Sequence, residues 1–253
     1  MFRGSDAGLL QQKVIPLLLK FKFCPMESNI LPNTFPVTLG IDPTSNESVN
    51  LDLAKCGNLL IGGATKQGKS HCIHNLISQL NDLPTPPEMI LFDPKRREFG
   101  RYKDRYRVIE DLEDAKHVLF EELFEDEIIG KRWSSDKDRS PLVIIIDELL
   151  DLIFMHKSKS SKHVSDRLRY EAIIKILNIG PELNIFTIIA TQSSDKDILT
   201  KDILDNCRTR IAFRTINHQD SKLIIKKSGA EDLLGRIEAI LYQEGKCRKI
   251  QCP

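Results

Sequence analysis

The sequence predicts an α/β fold in which a mostly parallel sheet carries helices on both faces. From Asn58 onward, short apolar runs of strand type alternate with segments of helical periodicity, and this alternation is typical of parallel sheets because their strands need crossover connections. The runs at 142–146 and 185–190 are apolar at nearly every position, as expected of strands buried on both faces. A glycine-containing turn joins the first such strand to the first helix.

The elements follow in chain order. Residues 1–50 combine a helical pattern over 9–23 with several prolines and a strand-like run at 35–41, and we assign them to an N-terminal appendage, leaving 51–253 as the core domain. In the core, strands are predicted at 58–61, 88–92, 108–109, 142–146, 185–190, 211–213 and 239–242, and helices at 70–80, 111–131 and 166–179. We expect the strands at 58–61 and 142–146 to be adjacent and parallel.

The composition of the chain limits the classes of function that it can have. The chain has 253 residues and a formal net charge of +1, so it has no bulk attraction to nucleic acid or membrane, and any basic surface must be local. Its six cysteines form no C-x-x-C pair, which favours reduced thiols over a disulfide framework or zinc site. We find no signal-peptide pattern and no apolar segment long enough to span a bilayer. We therefore expect a cytoplasmic protein that reaches a membrane only through a partner or another segment.

The turn after the first core strand is a complete G-x-x-x-x-G-K-[ST] phosphate-binding motif. Its glycines let successive N–H groups turn toward phosphate oxygens, and the following helix adds its positive N-terminal end. Lys69 is expected to reach the β- and γ-phosphates, and Ser70 to bind Mg²⁺. A chance glycine-rich loop is the alternative, and the flanking strand and helix disfavour it. The predicted ATP-binding residues are Gly63, Ala64, Thr65, Lys66, Gln67, Gly68, Lys69, Ser70 and His71.

A second motif ends the apolar run at 142–146 with two acids, Asp147 and Glu148. Ligands of open α/β sheets bind beyond the carboxyl ends of the strands. Asp147 is therefore expected to hold Mg²⁺ through water, in the Walker B role, and Glu148 to polarise the attacking water. The alternative is a buried strand that ends in a solvated acidic turn, and the phosphate-loop motif upstream disfavours it.

Several segments, in order, resemble the FtsK/SpoIIIE-type DNA translocase motors of the FtsK–HerA group. The resemblance covers about residues 36–252 and combines Asp-Pro-Lys, Asp-Glu-x-x-Asp, Ala-Thr-Gln and Gly-Ala-Glu motifs; the matching segments are 59–65, 92–95, 146–151, 189–192, 209–213, 220–222 and 229–235. It implies a RecA-like P-loop core with ATP and Mg²⁺ as ligands. It also implies a homo-hexameric ring around double-stranded DNA.

The resemblance further implies roles for single residues. Gln192, at the end of the strand beside Walker B, matches the polar sensor of the γ-phosphate, although an ordinary strand-end glutamine is the alternative. Arg210 matches the arginine finger supplied to a neighbouring subunit, and Arg208 is a competing candidate. Lys222 stands where the family usually has an arginine that meets the DNA backbone.

Two basic stretches are further candidates for DNA contact. The run at 156–163 contains Lys157, Lys159 and Lys162 and is predicted to be a flexible loop, either merely solvated or facing DNA. The second, here called the 95–107 cluster, holds seven cations within thirteen residues, although solvated faces often look the same.

The expected function is an ATP-hydrolysing motor that translocates double-stranded DNA through an oligomeric ring. Two alternatives stay open: a type VII secretion or conjugation coupling ATPase that moves protein or nucleoprotein, and a nucleotide-binding scaffold with little turnover. The usual Gly-Ser within the loop is Lys66-Gln67 here. The winged-helix module and membrane-spanning N-terminus of the cell-division translocases are not recognised in this sequence. A plasmid, phage or conjugative element is therefore as good a setting as chromosome segregation, and a membrane-bound or element-encoded partner protein is left open.

Overall fold

The computed structural model describes residues 34–123, 132, 140–153, 164–192 and 196–253. Within them the chain forms ten strands that join in one sheet. In chain order they are β1 (Pro36–Ile41), β2 (Ser48–Asp52), β3 (Asn58–Gly62), β4 (Glu88–Phe92), β5 (Arg107–Ile109), β6 (Leu142–Ile146), β7 (Ile185–Thr191), β8 (Thr209–Phe213), β9 (Glu238–Gln243) and β10 (Lys246–Gln251).

Seven α-helices are described between these strands, with short 3-10 turns at Gly100–Tyr102 and Gly180–Leu183. The helices are α1 (Leu53–Cys56), α2 (Lys69–Asn81), α3 (Leu112–His117), α4 (Leu149–Ile153), α5 (Val164–Ile179), α6 (Lys201–Asn206) and α7 (His218–Ile225). A π-helical turn, Val118–Glu122, continues α3. The helix predicted over 111–131 is thus described only as far as Leu123, and its remainder lies outside the described residues.

The sheet order is β2-β1-β10-β9-β8-β3-β7-β6-β4-β5. The six strands from β8 to β5 are parallel, whereas β9, β10, β1 and β2 pair antiparallel. The predicted mostly parallel α/β fold is confirmed. The predicted adjacency of β3 and β6 is wrong, because β7 lies between them and pairs with both. Consequently the end of β7 lies between the phosphate loop and the two acids.

The sheet is covered by apolar side chains on both faces. Every residue of β3, β6, β7 and β8 is buried, as their unbroken apolar sequences predict. One face packs against α4, α5, α6 and α7 through residues such as Leu60, Ile144 and Ile176. The other packs against α2 through residues such as Ile61 and Leu76, and side chains of β1 and β2 belong to the same cluster. The central strands are therefore rigid supports for the residues at their carboxyl ends.

The predicted boundary at residue 50 is wrong, since it falls inside β2. Strands β1 and β2 extend the core sheet, and Phe35, Val37 and Leu39 are buried in the same core as α2. The alternation of buried and exposed residues in β1 fits a strand near the sheet edge. The rest of the predicted appendage, residues 1–33, lies outside the described part.

Of the helices described, none is long and apolar enough to cross a membrane. The five described cysteines, Cys56, Cys72, Cys207, Cys247 and Cys252, are free thiols.

Candidate active site

The phosphate loop leaves β3 in a tight path that requires its two glycines. Gly63 has φ 145° and Gly68 has φ 113°, and L side chains rarely adopt such values. A Cβ on Gly68 would lie 2.1 Å from the carbonyl oxygen of Arg236, and one on Gly63 would lie 2.9 Å from Cβ of Phe213. The loop thus lies close against the end of β8 and the segment before β9. Because α2 begins directly after the loop, α2 starts at the carboxyl edge of the sheet.

Lys69 begins α2 and is buried, with 6% of its surface exposed. Its ammonium donates to the carbonyl oxygens of Gly63 at 2.7 Å and Ala64 at 2.8 Å. Burial lowers the pKa of Lys69 to about 8, while Glu148 and Asp147 act in the opposite direction. The lysine is therefore a cation inside the loop, where a phosphate can replace carbonyl partners with a stronger charge-assisted contact.

One backbone hydrogen bond fixes the path of the phosphate loop. The N–H of Ala64 donates to the carbonyl oxygen of Arg214 at 2.8 Å, so it ties the loop to the residue that follows β8. The predicted nucleotide contacts of Ala64, of the other loop residues and of His71, which is exposed on the first turn of α2, stay predictions.

The two acids after β6 have different surroundings. Glu148 is 3% exposed; its carboxylate accepts from the Thr191 hydroxyl at 2.9 Å and from the Gln192 N–H at 2.8 Å. Burial raises the pKa of Glu148 despite these hydrogen bonds. Asp147 is half-buried, and burial, with the negative charges of Glu98, Asp93 and Glu148, raises its pKa to about 7. Glu148 is thus a fixed acceptor, and Asp147 is a carboxylate that gains from a nearby cation.

Gln192 joins the two motifs. Its backbone N–H binds Glu148 at 2.8 Å, and its side-chain oxygen accepts from the Thr65 hydroxyl at 2.7 Å. Gln192 follows directly after β7, the strand beside β6, as predicted. The phosphate loop, Glu148 and Gln192, which are distant in sequence, therefore form one hydrogen-bonded site.

The residues present fit a nucleotide with its magnesium ion. Magnesium in such sites is held by one or two protein groups together with substrate phosphates and water. Ser70 and Asp147 supply a hydroxyl and a carboxylate, and in the described residues no group of three or more His, Cys, Asp and Glu side chains forms a complete metal site. The loop turned by Gly63 and Gly68, together with the buried Lys69, supplies the groups that would contact the phosphates.

The turn after β4 supports this edge of the sheet. Asp93 is fully buried, and its carboxylate accepts from the backbone N–H groups of Arg97, Glu98 and Phe99 at 2.8–3.1 Å. Lys95 forms an ion pair with Asp151 of α4 at 2.6 Å. The Asp-Pro-Lys and Asp-Glu-x-x-Asp motifs are therefore in direct contact, and they hold the segment that carries Asp147 and Glu148.

The structure contradicts the prediction that Arg210 is an arginine finger. Arg210 is 1% exposed, and its guanidinium donates to the carbonyl oxygens of Cys207 at 2.7 Å, Ile224 at 2.9 Å and Leu204. It also lies over the Tyr242 ring at 5.2 Å. These carbonyls lie at the carboxyl ends of α6 and α7, which attract cations. Arg210 therefore holds the fold together and cannot reach another subunit.

Arg208 keeps the properties that a finger needs. It is exposed and precedes β8, which runs parallel to β3. It therefore lies at the edge of the sheet opposite its own phosphate loop.

The predicted DNA contacts are only partly described. Lys222 is exposed on α7, whereas Lys157, Lys159 and Lys162 lie outside the described residues. Within the 95–107 cluster, four cations pair with acids, namely Lys95 with Asp151, Arg96 with Asp111, Lys103 with Glu110 and Arg107 with Glu122. This pairing explains how so many cations fit in a nearly neutral chain, and it weakens the case for the cluster as a DNA surface.

Two residues at the site were missed in the sequence. Glu98 is the first of the charges that raise the pKa of Asp147, and it pairs with His74 of α2 at 3.4 Å. Glu98 is one of two acids in the 95–107 cluster, and the interpretation of that cluster rested only on its cations. A search for acids shortly after each strand end would have found it.

Comparison with known proteins finds similarity to one family. Residues 25–125 match the model of the FtsK/SpoIIIE family. A DNA translocase FtsK of Chlorobaculum tepidum is 33% identical over 86% of this chain and 30% of its own length. The chain is thus similar to members of the FtsK/SpoIIIE family over part of their length. A DNA translocase FtsK of Caldanaerobacter subterraneus is 30% identical over 95% of this chain and 35% of its own length. The chain thus spans about a third of these FtsK/SpoIIIE relatives.

Solved structures show the same fold at lower identity. The pCW3 conjugation coupling protein TcpA, in its monomer form with ATPγS, has a TM-score of 0.76 at 18% identity and covers 90% of this chain and 68% of its own. The type VII secretion ATPase EccC of Thermomonospora curvata has a TM-score of 0.68 at 17% identity, covering 94% of this chain and 31% of its own. These likenesses confirm the predicted RecA-like P-loop fold.

Proposed function

We propose that this chain is an ATP-hydrolysing motor that moves double-stranded DNA through a ring of identical subunits, most simply a hexamer. The observation that carries the proposal is the hydrogen-bonded series from Thr65 through Gln192 to Glu148. These hydrogen bonds bring the phosphate loop, Gln192 and a buried acid together at one edge of the sheet. The choice of DNA as the translocated molecule is supported by relatives that are named DNA translocase FtsK.

The chemistry requires positioning more than covalent catalysis. Lys69 turns from its two loop carbonyls to the β- and γ-phosphates, and the helix N-terminus adds its dipole. Ser70 and Asp147 would hold Mg²⁺, which would supply charge neutralisation for the phosphates. Glu148 accepts a proton from the attacking water, and its raised pKa places its basicity nearer to neutral pH.

Gln192 is placed to report the state of the nucleotide. Its side chain binds Thr65 in this structure, and a γ-phosphate beside Thr65 would compete for that amide. Because the Gln192 N–H also orients Glu148, movement of Gln192 would change the position of the base. ATP binding and hydrolysis are thereby linked at one residue.

Arg208 is our candidate for a cation that one subunit supplies to the nucleotide of its neighbour. Its exposure and its place opposite the phosphate loop support a contact in trans. Lys222 and the lysines at 157, 159 and 162 are the candidate phosphate contacts to DNA. Such contacts are electrostatic and independent of sequence, which suits a translocase.

The deciding experiment measures ATP turnover with and without double-stranded DNA. We expect DNA of unrelated sequences to stimulate turnover equally, with the stimulation falling as salt rises. Lys69→Ala controls for contaminating ATPase. Turnover that ignores DNA but responds to a protein substrate would instead support the secretion or coupling class, and turnover at the level of Lys69→Ala would support a nucleotide-binding scaffold.

A further inference from the structure

A hydrogen-bonded clamp joins the phosphate-loop helix to the turn after β4. His74 of α2 lies with Nε2 3.4 Å from a Glu98 carboxylate oxygen and Nδ1 2.9 Å from the Tyr102 hydroxyl. With the proton on Nε2, the imidazole donates to Glu98 and accepts from Tyr102. The ring also packs edge-on against Phe99, with centroids 6.1 Å apart. Glu98 is therefore held in one place against α2.

The same turn is joined to the segment that carries Asp147. The Glu98 N–H donates to Asp93 at 2.8 Å, and the Asp147 N–H donates to the carbonyl oxygen of Phe92 at 3.2 Å. Helix α2 carries Ser70 in its first turn, just ahead of His74. The Glu98 carboxylate thus lies between α2 and the ends of β4 and β6, on the side where Ser70 and Asp147 are expected to hold the metal ion.

The charges that act on Asp147 are mostly negative. Among the groups acting on Asp147, Glu98, Asp93 and Glu148 are acids and only Lys69 is a cation. Burial and the nearby Arg101 lower the pKa of His74, so its imidazole is neutral at pH 7 and leaves the charge of Glu98 in place. A bare triphosphate entering this pocket meets like charge, which a divalent cation removes.

We propose that Glu98 is a positioning residue that makes nucleotide binding depend on a divalent cation. Held by His74, its charge opposes the bare triphosphate and favours the magnesium-bound form. This inference rests on the proposed ATP-binding function of the same site. The turn after the Asp-Pro-Lys motif thereby rejects metal-free nucleotide, which could not be hydrolysed.

The test is a binding titration with a fluorescent ATP analogue, performed in excess Mg²⁺ and again in EDTA. Glu98→Gln removes the charge and keeps an oxygen that can accept from His74. We expect its affinity in EDTA to rise about five- to tenfold, as for one unit charge acting through an effective dielectric of about 20 and screened by salt. Its affinity in Mg²⁺ should stay within about twofold, so the ratio of the two affinities falls.

Two controls separate charge from structure. Glu98→Asp keeps the charge and should keep the wild-type ratio. Glu244→Gln makes the same charge change at the exposed β9–β10 turn, on the opposite edge of the sheet, and should also keep it. An unchanged ratio in Glu98→Gln overturns the inference. Wild-type protein that binds no nucleotide under either condition would instead overturn the proposed function.

A second variant keeps the test decisive if Glu98→Gln does not fold, as judged by its thermal unfolding. His74→Leu retains the charge of Glu98 but releases its position. We expect the ratio of affinities to fall at least about twofold, because a mobile carboxylate is better screened by water. A wild-type ratio in folded His74→Leu overturns the inference as well.

Discussion

Glu148 is oriented before any ligand binds, since Thr191 and Gln192 hold both of its oxygens. Replacing Glu148 with Gln removes the proton acceptor and leaves the phosphate loop, Asp147 and Ser70 intact. We expect near-normal nucleotide binding, and turnover lower by about 10² or more. Parallel binding and steady-state assays check this, with Glu182→Gln, near the start of β7 at the other edge of the sheet, as the matched control. Turnover near the wild-type rate would show that another group is the base.

Asp147 predicts a particular dependence of stability on pH. Its folded-state pKa is raised from 3.8 to about 7, so between these values the folded protein holds a proton that the unfolded chain has lost. Stability therefore falls as pH rises from about 4 to about 7. Asp147→Asn should not share this loss. The stability of Asp147→Asn relative to wild type should therefore be greater at pH 8 than at pH 4 by about 2 kcal/mol, allowing for partial exposure.

The measurement is denaturant unfolding of wild type and Asp147→Asn in EDTA without nucleotide, at several pH values. Asp104→Asn, an exposed acid in the 95–107 cluster, is the control and should follow the wild-type curve. A difference between wild type and Asp147→Asn that does not change with pH would mean that Asp147 titrates normally.

At the scale of elements, Arg210 is a structural tie between two helix ends and a strand. Arg210→Ala leaves the carbonyls of Leu204, Cys207 and Ile224 without their donor, and we expect a loss of about 3 kcal/mol or more. Arg208→Ala, two residues away but exposed, should cost less than about 0.5 kcal/mol. Thermal and denaturant unfolding of the pair measure this contrast, and equal losses would contradict the assignment.

Sequence patterns predicted the central strands because those strands are buried on both faces, and burial leaves an unbroken apolar run. The same patterns predicted the phosphate loop, since its backbone path requires glycines at 63 and 68. They could not predict that β7 lies between β3 and β6, because strand order depends on pairing across the whole sheet. Nor could they tell Arg210 from Arg208, since one side chain points into the fold and its neighbour in the pattern does not.

At the scale of the assembled molecule, Arg208 and Glu148 lie at opposite edges of the sheet, so one active site would draw on two subunits. Arg208→Ala and Glu148→Gln should each be inactive alone. Mixed rings should recover part of the turnover at sites that pair an intact Glu148 with a neighbour's intact Arg208, a contact worth about 10³ in rate. Turnover is measured across mixing ratios after co-assembly is verified. No recovery at any ratio would rule out Arg208 acting in trans.

DNA contact by the ring should depend on Lys222, which is exposed on α7 directly after the strand that borders the phosphate loop. A lysine that neutralises one phosphate releases counterions, so Lys222→Ala should weaken binding to all sequences alike and lower the slope of log affinity against log salt by about 0.9. It should also reduce DNA-stimulated turnover while leaving turnover without DNA unchanged.

Lys246→Ala, an exposed lysine of β10 at the opposite edge of the sheet, is the matched control for charge. If the salt slope of Lys222→Ala equals that of wild type, the phosphate contact lies elsewhere, first among Lys157, Lys159 and Lys162. If turnover falls equally with and without DNA, Lys222 instead supports the fold or the subunit interface.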